Sequence, residues 1–139
     1  MAVITGDVYD VIDLPVRRDG KLVTINSAEL AEQIRKVCKL GPVTVFCERL
    51  HAMPQNGSIA AFSQGTILGG IVSALEHTDA TLKLVSPNVW KKALELSSDK
   101  GQSLQRAREM FPHAPLARQK DHNRAEALLI AHYGMTLGG

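Results

Sequence analysis

The segment Val43-Thr-Val-Phe-Cys47 constrains this chain more than any other stretch. It is short, β-rich and apolar at adjacent as well as alternate positions. A strand of that pattern has no solvent face, which predicts a central strand covered by helices on both sides. A mixed α/β architecture in three layers follows. Glu48 comes directly after it. A carboxylate therefore stands at the C-terminal tip of the best strand, where ligand sites of α/β sheets gather.

The flanking pattern supports that architecture. Val3 to Thr5 and Val8 to Leu14 read as a hairpin around Gly6-Asp7, closed by Pro15. Arg17, Arg18, Asp19 and Gly20 read as a polar turn before a third strand, Lys21 to Ile25. Asn26 and Glu29 form a capping-box pattern, and Leu30, Ile34 and Val37 mark one buried helical face before Gly41-Pro42 stops it. After Cys47 come a loop through Met53-Pro54, a helix from Ser58 to about Glu76 and a strand from Thr81 to Val85. Ser86-Pro87 opens a short helix to about Leu94. A helix from Ser97 or Ser98 to Phe111 follows, and a last helix runs from about Asp121 to Tyr133.

The 139 residues suit one domain spanning 1–139, and 45% hydrophobic residues suffice for a buried core. The apolar run Gly65–Leu75 is too short to span a bilayer, and no basic leader precedes it, so the expectation is a cytoplasmic protein with no membrane partner. Cys38 and Cys47 lack metal-ligand spacing and read as reduced core thiols. The net charge of +2 hides an asymmetry. From Lys83 to Arg124 there are nine basic and four acidic residues, an excess of five that suits a polyanion such as DNA.

Two features suit metal-assisted phosphodiester hydrolysis, which needs carboxylates converging from different elements. Glu48 ends a strand; Asp121, His122 and Glu126 begin the last helix, with His122 and Glu126 sharing a face at i and i+4. The plainer alternatives are a solvated strand-end Glu and a helix-capping Asp121.

Several segments, in order along the chain, are similar to the RuvC-type Holliday-junction resolvases of phages and bacteria, members of the RNase H-like superfamily. They are Val43–Glu48 with its Met53-Pro54 loop, the Gly-containing Phe62–Gly69, Leu84–Leu94 with Pro87, Trp90 and Lys91, the turn Ser98-Asp99-Lys100, and Lys120–Glu126. The resemblance implies an RNase H-like mixed sheet with flanking helices. It implies a homodimeric nuclease that uses Mg²⁺ or Mn²⁺ to cut branched DNA. Carried over by position, Glu48 would bridge two metals, with Glu126 and either Asp121 or His122 completing the site. Lys92 and Lys100 resemble phosphate-contacting residues; Lys91, Arg106 and Arg108 lie in the same basic stretch.

The chain departs from that family at its start. The family opens with a central strand bearing an Asp and a Gly-rich turn; here the first strand is what looks like the next one. The expectation is an N-terminally incomplete domain whose first, central strand and one metal carboxylate are absent. Asp7 reads as a turn residue and Asp13 as solvent-facing. Activity of this chain is accordingly open. A non-catalytic protein of the same fold that binds branched DNA is the alternative, and an α/β domain unrelated to nucleic acid is a third.

Overall fold

The structure is a computed structural model describing residues 1–49, 55 and 57–138. The Met53-Pro54 loop lies outside these residues. In chain order the elements are β1 (Ala2–Thr5), β2 (Val8–Val11), β3 (Val16–Asp19), β4 (Leu22–Ile25), α1 (Ser27–Cys38), β5 (Thr44–Glu48), α2 (Ser58–Glu76), β6 (Thr81–Val85), α3 (Pro87–Ala93), α4 (Lys100–Met110), a 3₁₀ turn (Gln119–Asp121) and α5 (His122–Thr136). The described strands pair as three two-stranded ladders, β1–β2, β3–β4 and β5–β6. The span 1–139 is built from two compact packing units, and the chain passes between them after Asp13, Val45, Glu48 and Lys83.

The first unit comprises Met1–Asp13, Phe46–Glu48 and Leu84–Gly139. Its antiparallel hairpin pairs Ala2 with Val11 and Thr5 with Val8. Gly6, at φ +58°, takes the first central position, as a type II′ turn requires. The second strand stops at Val11, short of the expected Leu14. The core is made by α3, α4 and α5 around Trp90, Leu104, Ala107, Phe111, Ala125, Leu128 and Leu129, with Ile4, Tyr9 and Phe46 packed against it. Helix α4 starts at Lys100, later than Ser97 or Ser98, because the Asp99 carboxylate accepts from the Gly101 N–H and takes the cap.

Gly134 of α5 is the point where that helix meets β5. A Cβ there would land in the Phe46 ring. Gly134→Ala is therefore expected to cost about 1–3 kcal/mol through overpacking, read as a lower urea midpoint. Phe46 lies two residues before Glu48, so the same change should also disturb the strand tip.

The second unit comprises Leu14–Val45 and Arg49–Lys83. Arg17 to Asp19 are strand residues here, not the polar turn expected. They pair with β4, and Gly20-Lys21 alone forms the turn, Gly20 at φ +58°. Arginine-rich β3 is exposed throughout, which hid its strand character from a hydrophobicity pattern. The Asn26 cap forms as expected: its Oδ1 accepts from the Glu29 N–H and its Nδ2 donates to Glu29 Oε2. Helix α1 buries Leu30, Ala31 and Ile34, and α2 packs on β4 and α1. Gly70 permits that approach, since a Cβ there would come within 2.7 Å of Ile25 Cβ.

Helix α2 corrects one expectation. With 19 residues and a mean hydropathy of 1.4, it is long and apolar enough to cross a bilayer by length and composition. The run Gly65–Leu75 understated it, because its earlier residues Ser58–Gln64 are small, apolar or uncharged. Ile59 and Phe62 are exposed, and no heavy atom lies within 4 Å of a Cβ built at Gly65 or Gly69.

Candidate active site

Glu48, the last residue of β5, is half-buried in the first unit. Its Oε2 accepts a hydrogen bond from the indole Nε1–H of Trp90 at 3.0 Å. Trp90 is fully buried on α3, which Pro87 starts at its first position. The next residue, Lys91, places its ammonium 3.1 Å from Glu126 Oε1 of α5, and both side chains are 17% exposed. The contact is an ion pair by distance, but its angles fall short of a hydrogen bond, so this buried oxygen has charge compensation and no hydrogen-bond donor. Two consecutive residues of one short helix thus address two carboxylates from two other elements. Lys91 also lies 5.2 Å from the Trp90 ring centroid.

Asp121 is employed differently. It is 3% exposed and accepts from the Arg118 backbone N–H at 2.9 Å and from Arg118 Nη2 at 2.7 Å, with Arg124 Nη1 at 4.0 Å. The Arg118 side-chain and backbone donors lower its pKa from 3.8 to about 2 against the opposing effect of burial. Arg124 in turn grips Asp13 through Nε at 3.1 Å and Nη2 at 2.9 Å, tying the end of the hairpin segment to α5. Asp13 is exposed, as expected, yet ion-paired. His122, the first residue of α5, is half-buried on the same face as Glu126.

The folded-state pKa of Asp121 lies below its ordinary value, so the folded chain binds fewer protons than the unfolded chain in this window. Its contribution to stability is complete above about pH 4 and is lost as pH falls through about 2. Urea midpoints measured from neutral pH into this range are expected to fall in the wild type. In Asp121→Asn, that part of the slope should be missing.

The basic residues divide. Lys92 and Lys100 are exposed. Arg106 donates to the Leu94 carbonyl at 3.0 Å, and Arg108 to the carbonyls of Leu116 at 2.7 Å and Ala117 at 3.2 Å. Both arginines therefore staple loop carbonyls, whatever else they contact. Sequence reasoning passed over the roles of Trp90 and Arg118. The apolar setting of Trp90 carries no signal of a carboxylate partner. The Arg118-x-x-Asp121 spacing was the available signal for the second.

Among the described residues no group of three or more His, Cys, Asp or Glu side chains could hold a metal ion. Glu126 Oε1 is buried without a hydrogen-bond donor, and the Trp90 bond engages Oε2 of Glu48 and not Oε1. These two carboxylates do not make the set for a pair of ions while Arg118 holds Asp121.

No protein-family model and no curated protein matches the sequence. Solved structures do. The chain is similar to T. thermophilus RuvC in complex with a Holliday junction substrate, at 18% identity and a TM-score of 0.56 over 88% of this chain and 86% of that one. A second Thermus thermophilus RuvC structure matches at 18% identity and a TM-score of 0.57, over 90% and 87% of the two chains. The fold is the RuvC-like, RNase H-like mixed α/β fold that the motif order implied.

Proposed function

We propose that this chain is a structure-selective DNA endonuclease that cuts branched DNA such as Holliday junctions with the help of Mg²⁺ or Mn²⁺. The observation that carries this reading is that Trp90 and Lys91, consecutive residues of α3, contact Glu48 and Glu126 within a RuvC-like fold. One of the similar structures is a RuvC bound to a Holliday junction substrate. Glu48 and Glu126 would hold a divalent ion; Asp121 and His122 are the candidates for a further ligand. For Asp121 to serve, Arg118 must release it. A bound ion would polarise the phosphate and make water a better nucleophile. Lys91 neutralises Glu126 until then. Lys92 and Lys100 would contact flanking phosphates, while Arg106 and Arg108 would add the N–H groups that their carbonyl bonds leave over.

In this reading the protein works in the cytoplasm as a homodimer, because paired cuts across a junction need two sites. The exposed stripe of Ile59, Phe62, Gly65 and Gly69 on α2 suits a second copy. One observation favours the non-catalytic alternative, a protein that binds branched DNA without cutting it. Every described carboxylate of the site already has a protein partner: Trp90 on Glu48, Lys91 on Glu126 and Arg118 on Asp121.

The test is incubation of a labelled four-way junction with the chain, with and without Mg²⁺ or Mn²⁺. Metal-dependent incision supports the nuclease. Salt-sensitive junction binding without incision selects the alternative. Neither, from folded protein, overturns both.

A further inference from the structure

We infer that Trp90 is the positioning residue for Glu48: its indole N–H fixes the rotation of the carboxylate, so that Oε1 is the oxygen presented to a cation. The inference rests on the reading of Glu48 as the acidic centre of the site, and it adds a residue that metal-ligand patterns do not pick out. Trp90 is the only tryptophan of the chain and is fully buried. A buried indole N–H is a donor with no acceptor of its own and requires a partner. Here the partner is a carboxylate oxygen at 3.0 Å. A charge-assisted bond of this kind is about twice as strong as a neutral one.

The geometry makes the bond directional. The donor ring is clamped in the core with Leu104, Ala107, Leu128 and Leu129, so it cannot follow the carboxylate if that rotates. Glu48 ends its strand, and its side chain would otherwise sample several rotamers. One end of the carboxylate is thereby pinned to a rigid ring. The same helix, one residue on, sets the position of Glu126 through Lys91. The two carboxylates are thus held by neighbouring residues of α3, and a displacement of α3 moves both.

With one tryptophan, the ¹H–¹⁵N spectrum has a single indole signal, so the bond can be read in the intact protein without any activity. In the wild type that signal is expected downfield and slow to exchange with solvent. Glu48→Ala should move it upfield and speed exchange about ten- to a hundredfold, the equivalent of losing a hydrogen bond to a charged group. Trp90→Phe, which keeps an aromatic ring and removes the N–H, should average the Glu48 γ-methylene resonances, which are distinct while the carboxylate is held. It should also raise the Mg²⁺ concentration for half-maximal junction cutting about tenfold or more, with cutting recovered at high Mg²⁺. Loss through general unfolding would not be recovered by the ion.

An indole signal indifferent to Glu48→Ala in folded protein overturns the inference, even should Trp90→Phe fail to fold. Unchanged Mg²⁺ half-saturation in a folded Trp90→Phe overturns it as well. A signal that responds to Glu48→Ala, in a protein that neither binds Mg²⁺ nor cuts, leaves the positioning bond standing and removes the nuclease reading.

Discussion

Glu48→Gln is expected to reduce metal-dependent cutting of a four-way junction by roughly a thousandfold while leaving the fold and junction binding close to wild type. The size follows from the charge. A carboxylate that holds a divalent ion supports several kcal/mol of transition-state stabilisation, and each 1.4 kcal/mol is about tenfold in rate. The selectivity follows from the Trp90 bond. The amide oxygen of Gln can still accept from Nε1, so the buried indole keeps a partner and the core keeps its packing. The loss should therefore appear in the chemical step and in the Mg²⁺ requirement, with the melting temperature and salt-dependent junction affinity unchanged. Single-turnover cleavage beside a gel-shift titration separates these quantities. A variant that cuts at the wild-type rate would remove Glu48 from the chemistry. A variant that loses binding as well would make Glu48 part of the DNA surface.

Asp121 provides the contrast that gives this result its meaning. Its carboxylate is closed on Arg118, and Arg124 links that pair to Asp13. Substituting it should move the acid end of the stability profile first. A pair of profiles, rate against stability for Glu48 and Asp121, separates a reactive carboxylate from a cap more directly than either rate alone.

Much of this arrangement was readable from residue order. The capping pair Asn26 and Glu29, the strand Val43–Cys47 and the Pro87 helix start each follow from local rules, because the interactions involved span only a few residues. Strand β3 was not readable. Its four residues are all exposed, so their strand character comes from pairing with Leu22–Ile25, which no hydrophobic period records. The site shows the same division. Glu48 and Glu126 are candidates by their places at a strand end and on a helix. Trp90 could not be given its role, since its partner lies 42 residues away and indole–carboxylate pairing has no local signature. Asp121 was readable as either ligand or cap, and only the guanidinium of Arg118 shows how it is engaged here.

Phe62→Glu is expected to convert a homodimer to monomers, with the dimer dissociation constant raised a hundredfold or more. The argument starts from α2, which is 19 residues long, carries no charge before Glu76 and has only 11% of its most apolar stretch buried. Phe62 is 64% exposed and Ile59 57%. Gly70 fits against Ile25, whereas Gly65 and Gly69 face open space beside Phe62, leaving a lane in which a second helix can come close. In a two-fold interface one substitution counts twice. Removing two buried phenylalanines at about 1.5–3 kcal/mol each corresponds to at least a hundredfold at 1.4 kcal/mol per decade, before the cost of burying two carboxylates is added. Sedimentation over a range of concentrations reads the constant directly. A wild-type chain that stays monomeric at high concentration would remove the dimer. If the dimer forms and Phe62→Glu breaks it, junction cutting should change character along with rate: paired incisions on opposing strands should give way to single, uncoordinated nicks, because each Glu48 site would then meet the junction alone.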